Sequence, residues 1–333
     1  MANFPTSAPQ ATTGETQNIS GDWSGDNQDW WDWYVSLAQN ERFTAPLAKC
    51  APLPDIAQPD DAALAAEFSE PYPLTPDHIA AFARHGFVKL KGVVSPGAAL
   101  RLRAEMKRLL EAEHDIAMDA GQSERFTSLE MTWLDNPLVR AFVLAPRIAG
   151  ICAGLLEVER LRLYHDNILS KEPGCGRTPW HYDDHHFPLA THDVVTAWIA
   201  AQPIPVAMGP LSFATPRDVH RLVEGVPFDR TNTSYDTHVG EVFADNDVAV
   251  DETPFKLGEA SFHHNLSFHT AGPNRTNLSR MVLANTYFVD GARVVGDPTL
   301  VSGDWRKFLP GCEPGGLAQS DRNPVCWPPT HAS

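Results

Sequence analysis

Residues 180–183 read Trp180-His181-Tyr182-Asp183, and the His-x-Asp triplet inside them limits what this chain can be more than any other stretch. In an extended strand, residues i and i+2 face the same side. The imidazole of His181 and the carboxylate of Asp183 would therefore enter one cavity. One imidazole and one carboxylate hold a metal poorly. A second imidazole, folded in from elsewhere, would complete a two-histidine, one-carboxylate face with three open positions, which suits non-haem Fe(II) working with O2. Three downstream histidines compete for that place: His263, His264 and His269. Beyond them, Arg280 opens the run Met281 to Val289, which reads as a buried strand. Its guanidinium can pair with a carboxylate through two parallel hydrogen bonds.

The same residues carry a family resemblance. Lys171-Glu172-Pro173-Gly174, Thr178 to Asp183, Thr196-Ala197-Trp198-Ile199-Ala200, Gly209-Pro210-Leu211 and Phe262 through Arg280 resemble the phytanoyl-CoA dioxygenase family of Fe(II)/2-oxoglutarate-dependent oxygenases. The resemblance spans about residues 75 to 291. His-x-Asp alone is a weak signal; with Trp198, His269 and Arg280 at the family's spacing it is a specific one.

The resemblance implies a mainly β fold with flanking helices, around a double-stranded β-helix core of the jelly-roll, cupin-like kind. It implies that His181, Asp183 and His269 hold Fe(II). His269 is selected over its neighbours because the family's ligand stands just before a turn containing Gly and Asn, here Gly272 to Asn274. It implies that Arg280 takes the far carboxylate of 2-oxoglutarate, that Trp198 lies near this cosubstrate and that Asn167 touches it. Trp198 read without the family is a core aromatic, and His165 beside Asn167 is as well explained by a satisfied barrel histidine. Halogenating relatives lack the carboxylate, so Asp183 implies hydroxylation, or a related desaturation or ring closure, of a small molecule. Decarboxylation of 2-oxoglutarate to succinate would be coupled to it. The chain departs from the family at Ser212–Arg217, where Ala214-Thr215-Pro216 stands in place of a Gly-Ser-His turn. Two other readings keep the same residues: a cupin-like metalloenzyme without a cosubstrate, and a jelly-roll binding module with a vestigial metal site.

Charge narrows the partners. With 42 acidic against 26 basic residues and a formal net charge of −16, the surface repels phosphate backbones and anionic lipid. Neither nucleic acid nor membrane is expected as a partner. No apolar run is expected to reach membrane-spanning length, and the N-terminus shows no basic stretch followed by an apolar core. Cys50, Cys152, Cys175, Cys312 and Cys326 are scattered, odd in number and without a Cys-x-x-Cys pair, the pattern of reduced thiols in a cytoplasm.

Along the chain, residues 1–22 are polar and small and read as a mobile tail. Residues 23–74 form an aromatic-rich arm and connector. Trp23, Trp30, Trp31, Trp33 and Tyr34 crowd its start. They would pack over the outside of the barrel or, on a sharper reading, form a lid or a homodimer contact near the mouth. A short helix is expected near Asp61 to Phe68. Thr75-Pro76-Asp77 is a helix start and Gly86 its stop. Alternation then predicts a strand at Phe87–Leu90, and Ser95-Pro96 starts a second helix. By parity Leu163, His165, Asn167 and Leu169 share one strand face, and Val194, Thr196 and Trp198 another. The oxygenase domain is expected over 75–303, with 217–255 as a long irregular lid-like loop bordering the pocket. Residues 304–333 are expected to lie on the surface as an extended tail.

Overall fold

The expected helix starts form as capping chemistry dictates. Thr75 accepts from the His78 amide while His78 Nδ1 accepts from the Thr75 amide, Pro76 fills the first turn, and Gly86 closes the helix with φ 81°. The computed structural model describes residues 31, 34–36, 38, 45–224, 226, 233–298 and 305–329, with only the backbone of His185. The expected tail 1–22, and Trp23, Trp30 and Trp33, lie outside the described residues.

In chain order the helices are α1 (Asp61–Ser69), α2 (Pro76–His85), α3 (Pro96–His114), α4 (Pro137–Val143), α5 (Pro146–Leu156) and α6 (Ser234–Asp245). The strands are β1 (Phe87–Leu90), β2 (Phe126–Glu130), β3 (Leu161–Lys171), β4 (Thr178–His181), β5 (Val194–Ala200), β6 (Leu211–Thr215), β7 (Ala249–Asp251), β8 (Ala260–His264), β9 (His269–Ala271), β10 (Arg280–Val289) and β11 (Val325–Trp327). Seven strands form a main sheet in the order β1-β8-β5-β10-β3-β11, with β2 also paired to β3. Four form a minor sheet in the order β4-β9-β6-β7. Every strand pair is antiparallel.

Strand alternation sorts the main sheet's side chains into two layers. Val195, Ala197, Ile199, Phe262 and Leu283 point outward, into a core shared with α1 to α5. Trp198, Ala200, Val282 and Ala284 point inward and meet Leu211, Phe213 and Ala271 of the minor sheet. Phe87 and Phe213 stack across the gap with ring centres 4.1 Å apart. The result is a helix-backed main sheet facing a smaller one across an interior, as the resemblance implies.

Four expectations need correction. First, Leu163 does not share a face with Asn167. The β3–β10 register slips between Thr286 and Tyr287, so His165 pairs with Thr286 while Leu163 pairs with Tyr287. A bulge of one residue inverts the facing of everything before it. Leu163 joins the helix-side core and Tyr164 the interior of the barrel's other end. Second, residues 217–255 are not an irregular loop. They hold a 3-10 turn over Arg217–Val223, then α6 and β7. Tyr235, Val239 and Phe243 bury one face of α6 against Trp180 and Phe268, and their i, i+4, i+8 spacing is a helix signal. Third, the C-terminal segment is more than a surface layer. Trp305, Phe308 and Leu309 are core residues, and β11 extends the main sheet beside β3. Fourth, residues 137–156 are apolar enough over 20 residues to match a membrane span by length and composition. They divide instead into α4 and α5, broken ahead of Pro146, and their apolar side chains sit in the helix-side core.

Candidate metal centre

His181 ends β4 and His269 begins β9, and the two are register partners across the minor sheet. Asp183 lies past the strand end, at the start of a 3-10 turn over Asp183–His186. Tyr182 between them is still extended (φ −134°, ψ 149°), so the i, i+2 relation survives although the strand does not. One ligand atom from each of His181, Asp183 and His269 lies within 4.8 Å of the others. Asp183 Oδ1 is 3.8 Å from His181 Nε2 and 3.7 Å from His269 Nε2.

The imidazoles are oriented from behind. His181 Nδ1 meets the Pro179 carbonyl at 2.8 Å and His269 Nδ1 meets the Ser267 carbonyl at 2.9 Å. A carbonyl only accepts, so each Nδ1 carries the proton and each Nε2 turns a lone pair to the centre. Burial, then the neighbouring His269, holds the His181 imidazolium far below the usual histidine range. Burial pushes His269 down to about 4, against the pull of Asp183. Burial alone would raise the Asp183 carboxyl; His269, a hydrogen bond from His263, and His181 reverse this and hold it well below the usual carboxylate range. Two neutral imidazoles and an ionised carboxylate are the protonation states that bind a divalent cation.

The competing histidines separate cleanly. His264 Nδ1 accepts from the Leu266 amide, and its ring lies 6.0 Å from Phe82 on α2. His263 faces the interior, with Nε2 at 3.3 Å from Asp183 Oδ2. It touches the carboxylate without belonging to the group of three. His165 packs its ring against Tyr164, Phe187 and Phe308. Its neighbour Asn167 lies nearer the middle of β3, opposite Ala284, buried and with Oδ1 unpartnered.

At the far end of the interior, Arg280 is 2% exposed. Its Nη1 donates to the Gly209 carbonyl at 3.1 Å, its guanidinium carbon sits 5.3 Å from the centre of the Trp198 ring, and Nε has no partner. Burial lowers Arg280 to about 10, so it stays charged at neutral pH. Gly209 has φ +71°, and a Cβ there would stand 2.1 Å from the Gly272 carbonyl oxygen; only glycine brings this carbonyl to the guanidinium. Asn274 holds the adjoining turn, donating to the Lys171 and Leu278 carbonyls and accepting from Thr276. Among the described residues no carboxylate forms an ion pair with Arg280. A buried guanidinium with an unsatisfied donor fits an incoming carboxylate.

The sequence profile of the phytanoyl-CoA dioxygenase (PhyH) family matches residues 82–282. This chain belongs to that family. No curated protein matches it significantly. Among solved structures, the non-heme alpha-ketoglutarate-dependent carbocyclase SnoK from nogalamycin biosynthesis is 24% identical with a TM-score of 0.61, over 77% of this chain and 99% of its own. The epimerase SnoN, solved in complex with Fe3+, alpha-ketoglutarate and nogalamycin RO, is 24% identical with a TM-score of 0.58, over 80% of this chain and all of its own. EctD from S. alaskensis, solved with 2-oxoglutarate and 5-hydroxyectoine, is 17% identical with a TM-score of 0.58, over 83% of this chain and 98% of its own. At these identities the structures share a fold, and the PhyH-family barrel is the one described above.

Reasoning from sequence passed over several residues at this site. Tyr34 of the arm is buried, with its ring edge-on to His181 at 5.6 Å and to His186 at 6.0 Å. Trp31 stacks on Phe126 at 4.8 Å. The described part of the arm therefore reaches the histidine cluster. Lys171, opposite Arg280 in the register, is fully buried, and its Nζ donates to the Gly176, Ala271 and Gly272 carbonyls at 2.9 Å each. Thr196 reaches Asp183 from the main sheet, and Thr286 on the neighbouring strand reaches Thr196. Period-2 alternation was enough to place Thr196 beside Trp198 on the inner face; nothing local ties Tyr34 to a histidine 147 positions later.

Proposed function

We propose that this PhyH-family chain is an Fe(II)/2-oxoglutarate-dependent oxygenase that hydroxylates an unactivated C–H bond of a small molecule. One observation carries the reading: a single interior holds an ionised carboxylate between two neutral imidazoles at one end, and a buried, charged guanidinium with an open donor at the other. The first fits a divalent cation, the second the far carboxylate of a keto diacid. In this reading His181, Asp183 and His269 hold the iron, Arg280 pairs with the cosubstrate, and Trp198 packs against the guanidinium. Asn167 offers an amide along the path between them. The bound iron and cosubstrate supply the oxidising chemistry. Overall, substrate, O2 and 2-oxoglutarate give hydroxylated product, succinate and CO2. The protein orients the partners and excludes water from them. Asp183 keeps the third protein ligand, which favours hydroxylation or a related oxidation, desaturation or ring closure, over halogenation; among these, the outcome depends on what the substrate presents.

Anaerobic titration of the metal-free protein with Fe(II) and 2-oxoglutarate tests this. A visible charge-transfer band is expected. Metal bound without that band would refute the cosubstrate and favour a cupin-like metalloenzyme. Product analysis with candidate substrates then separates hydroxylation from ring closure.

A further inference from the structure

The two oxygens of Asp183 have different surroundings. Oδ1 faces the Nε2 atoms of His181 and His269. Oδ2 is turned to the main sheet, 3.3 Å from Thr196 Oγ1 and 3.3 Å from His263 Nε2. Behind Thr196, at 3.0 Å, stands Thr286 Oγ1. These contacts share one level of the barrel: Thr286 is the register partner of Thr196, and Thr196 of His263. Three adjacent strands thus present Thr286, Thr196 and His263 in a row, all from their inner faces.

We propose that this row is a positioning device that commits Asp183 to one-oxygen coordination, and that His263 is part of it and not a fourth metal ligand. Proton bookkeeping fixes its polarity. An ionised carboxylate only accepts, so the single Thr196 hydroxyl proton goes to Oδ2. Thr196 must then accept from Thr286, and His263 presents Nε2–H to the same oxygen. His263 Nδ1 is left as a bare acceptor, and it is buried with no hydrogen-bond partner. That orphan atom is the expected remainder if His263 spends its one proton on Asp183. With Oδ2 held by two donors, only Oδ1 and the two Nε2 atoms face the centre. Three protein donors would leave a bound iron open positions for the 2-oxo acid and O2. A carboxylate binding through both oxygens, or a fourth protein ligand, would take one of them. The inference rests on the oxygenase reading for its purpose and on the metal site alone for its test.

The probe is Co(II), added anaerobically without 2-oxoglutarate. It is followed by calorimetry and by its visible d–d absorption, which reports coordination number and donor type. His263→Leu removes the donor; His263→Gln returns an N–H; Thr196→Val and Thr286→Val remove hydroxyls at nearly constant volume. Residues that orient a metal ligand typically change affinity 10- to 100-fold. His263→Leu is expected to weaken Co(II) by roughly that factor, His263→Gln to recover most of it, Thr196→Val to lose about tenfold and Thr286→Val less, because it acts through Thr196. The coordination number should rise in His263→Leu as the carboxylate swings to bind through both oxygens. Unchanged affinity and absorption in both His263→Leu and Thr196→Val would overturn the proposal. So would a wild-type spectrum with three imidazole donors that loses one in His263→Leu and in His263→Gln alike. Co(II) binding with these responses, but no Fe(II)–2-oxoglutarate band, would refute the oxygenase reading and leave the positioning row standing.

Discussion

The two ends of the barrel interior solve the burial of charge in opposite ways. At the triad end, one carboxylate is surrounded by donors and lone pairs of the protein's own. His263 and Thr196 hold Oδ2, and His181 and His269 stand over Oδ1. At the other end two basic side chains, Arg280 and Lys171, are register partners on β10 and β3. Burial, and then Arg280 itself, lower Lys171 well below the usual lysine range. Three carbonyls offset that cost for the lysine, but Arg280 has one carbonyl, an aromatic face and an open Nε. An unpaired buried donor on a charged group is costly. The lysine is therefore structural, tying β3 to the turn after β9, while the arginine is left for a ligand. One end is prepared for a cation, the other for an anion, and a keto diacid chelating the metal would bridge them.

The comparison breaks most severely at the triad. His269→Ala should reduce Fe(II) affinity by more than about 100-fold, beyond the range of residues that merely orient a ligand. The charge-transfer band should vanish with it. Arg280→Ala should leave Co(II) binding without 2-oxoglutarate unchanged, yet raise the 2-oxoglutarate requirement roughly 100- to 1,000-fold, the worth of two charge-assisted hydrogen bonds. Arg280→Lys should recover only part, because an ammonium cannot supply the planar pair of donors. If Arg280→Ala and His269→Ala failed identically in the Co(II) titration, the two ends would not be separable and the division of labour drawn here would be wrong.

How much of this could be read in the chain follows from how local each signal is. The His-x-Asp pair needs only the two-residue period of an extended segment, and that period holds through Tyr182 even though β4 stops at His181. Trp198 and Thr196 follow from the same rule. His269 was legible through the family spacing and not from periodicity, since His263 also faces the interior. The parity of β3 was misread because a bulge leaves no mark in a run as uniform as Leu161 to Lys171. Helix α6 was missed although Tyr235, Val239 and Phe243 carried its period; the polar residues around them hid it. Asp236 on that helix accepts from the Trp180 amide at 2.8 Å and from Arg177 at 3.2 Å, a latch between segments 56 positions apart that no window of sequence reveals.

A smaller effect tests whether the triad end is covered as well as built. Tyr34 stands edge-on to His181 and His186. Tyr34→Ala should open that side to water and raise succinate formation in the absence of substrate by a few-fold, with little change in Co(II) affinity. A variant with wild-type uncoupled turnover would return the arm to the role of packing on the outside of the barrel. The ratio of succinate formed with and without substrate is the quantity to follow.

A separate test comes from a carboxylate that has no part in the site and shows what burial does without a cation nearby. Asp166 lies on β3 and is fully buried; Oδ2 accepts from the Thr132 amide at 3.1 Å and Oδ1 from the Trp133 amide at 3.4 Å. Two amides do not replace the triad's donors. Burial pushes Asp166 up to about 7, against the lowering effect of those amides. Asp183, in the turn after β4, is by contrast held far below the usual range. The sign follows from linkage. Between about pH 4 and 7 the folded chain keeps this proton and the unfolded chain has lost it, so the contribution is full below pH 4 and is lost as pH rises through 7. Asp166→Asn stays neutral throughout. The metal-free wild type should therefore lose stability relative to Asp166→Asn as pH rises from 5 to 8, by a few kcal/mol at most, read as a melting-temperature difference of several degrees. The groups of the metal centre titrate alike in both proteins and cancel in that difference. Parallel pH profiles would mean that Thr132 and Trp133 stabilise the anion as well as His263 and Thr196 do at the triad, and that ordinary backbone donors suffice to hold a buried carboxylate in this barrel.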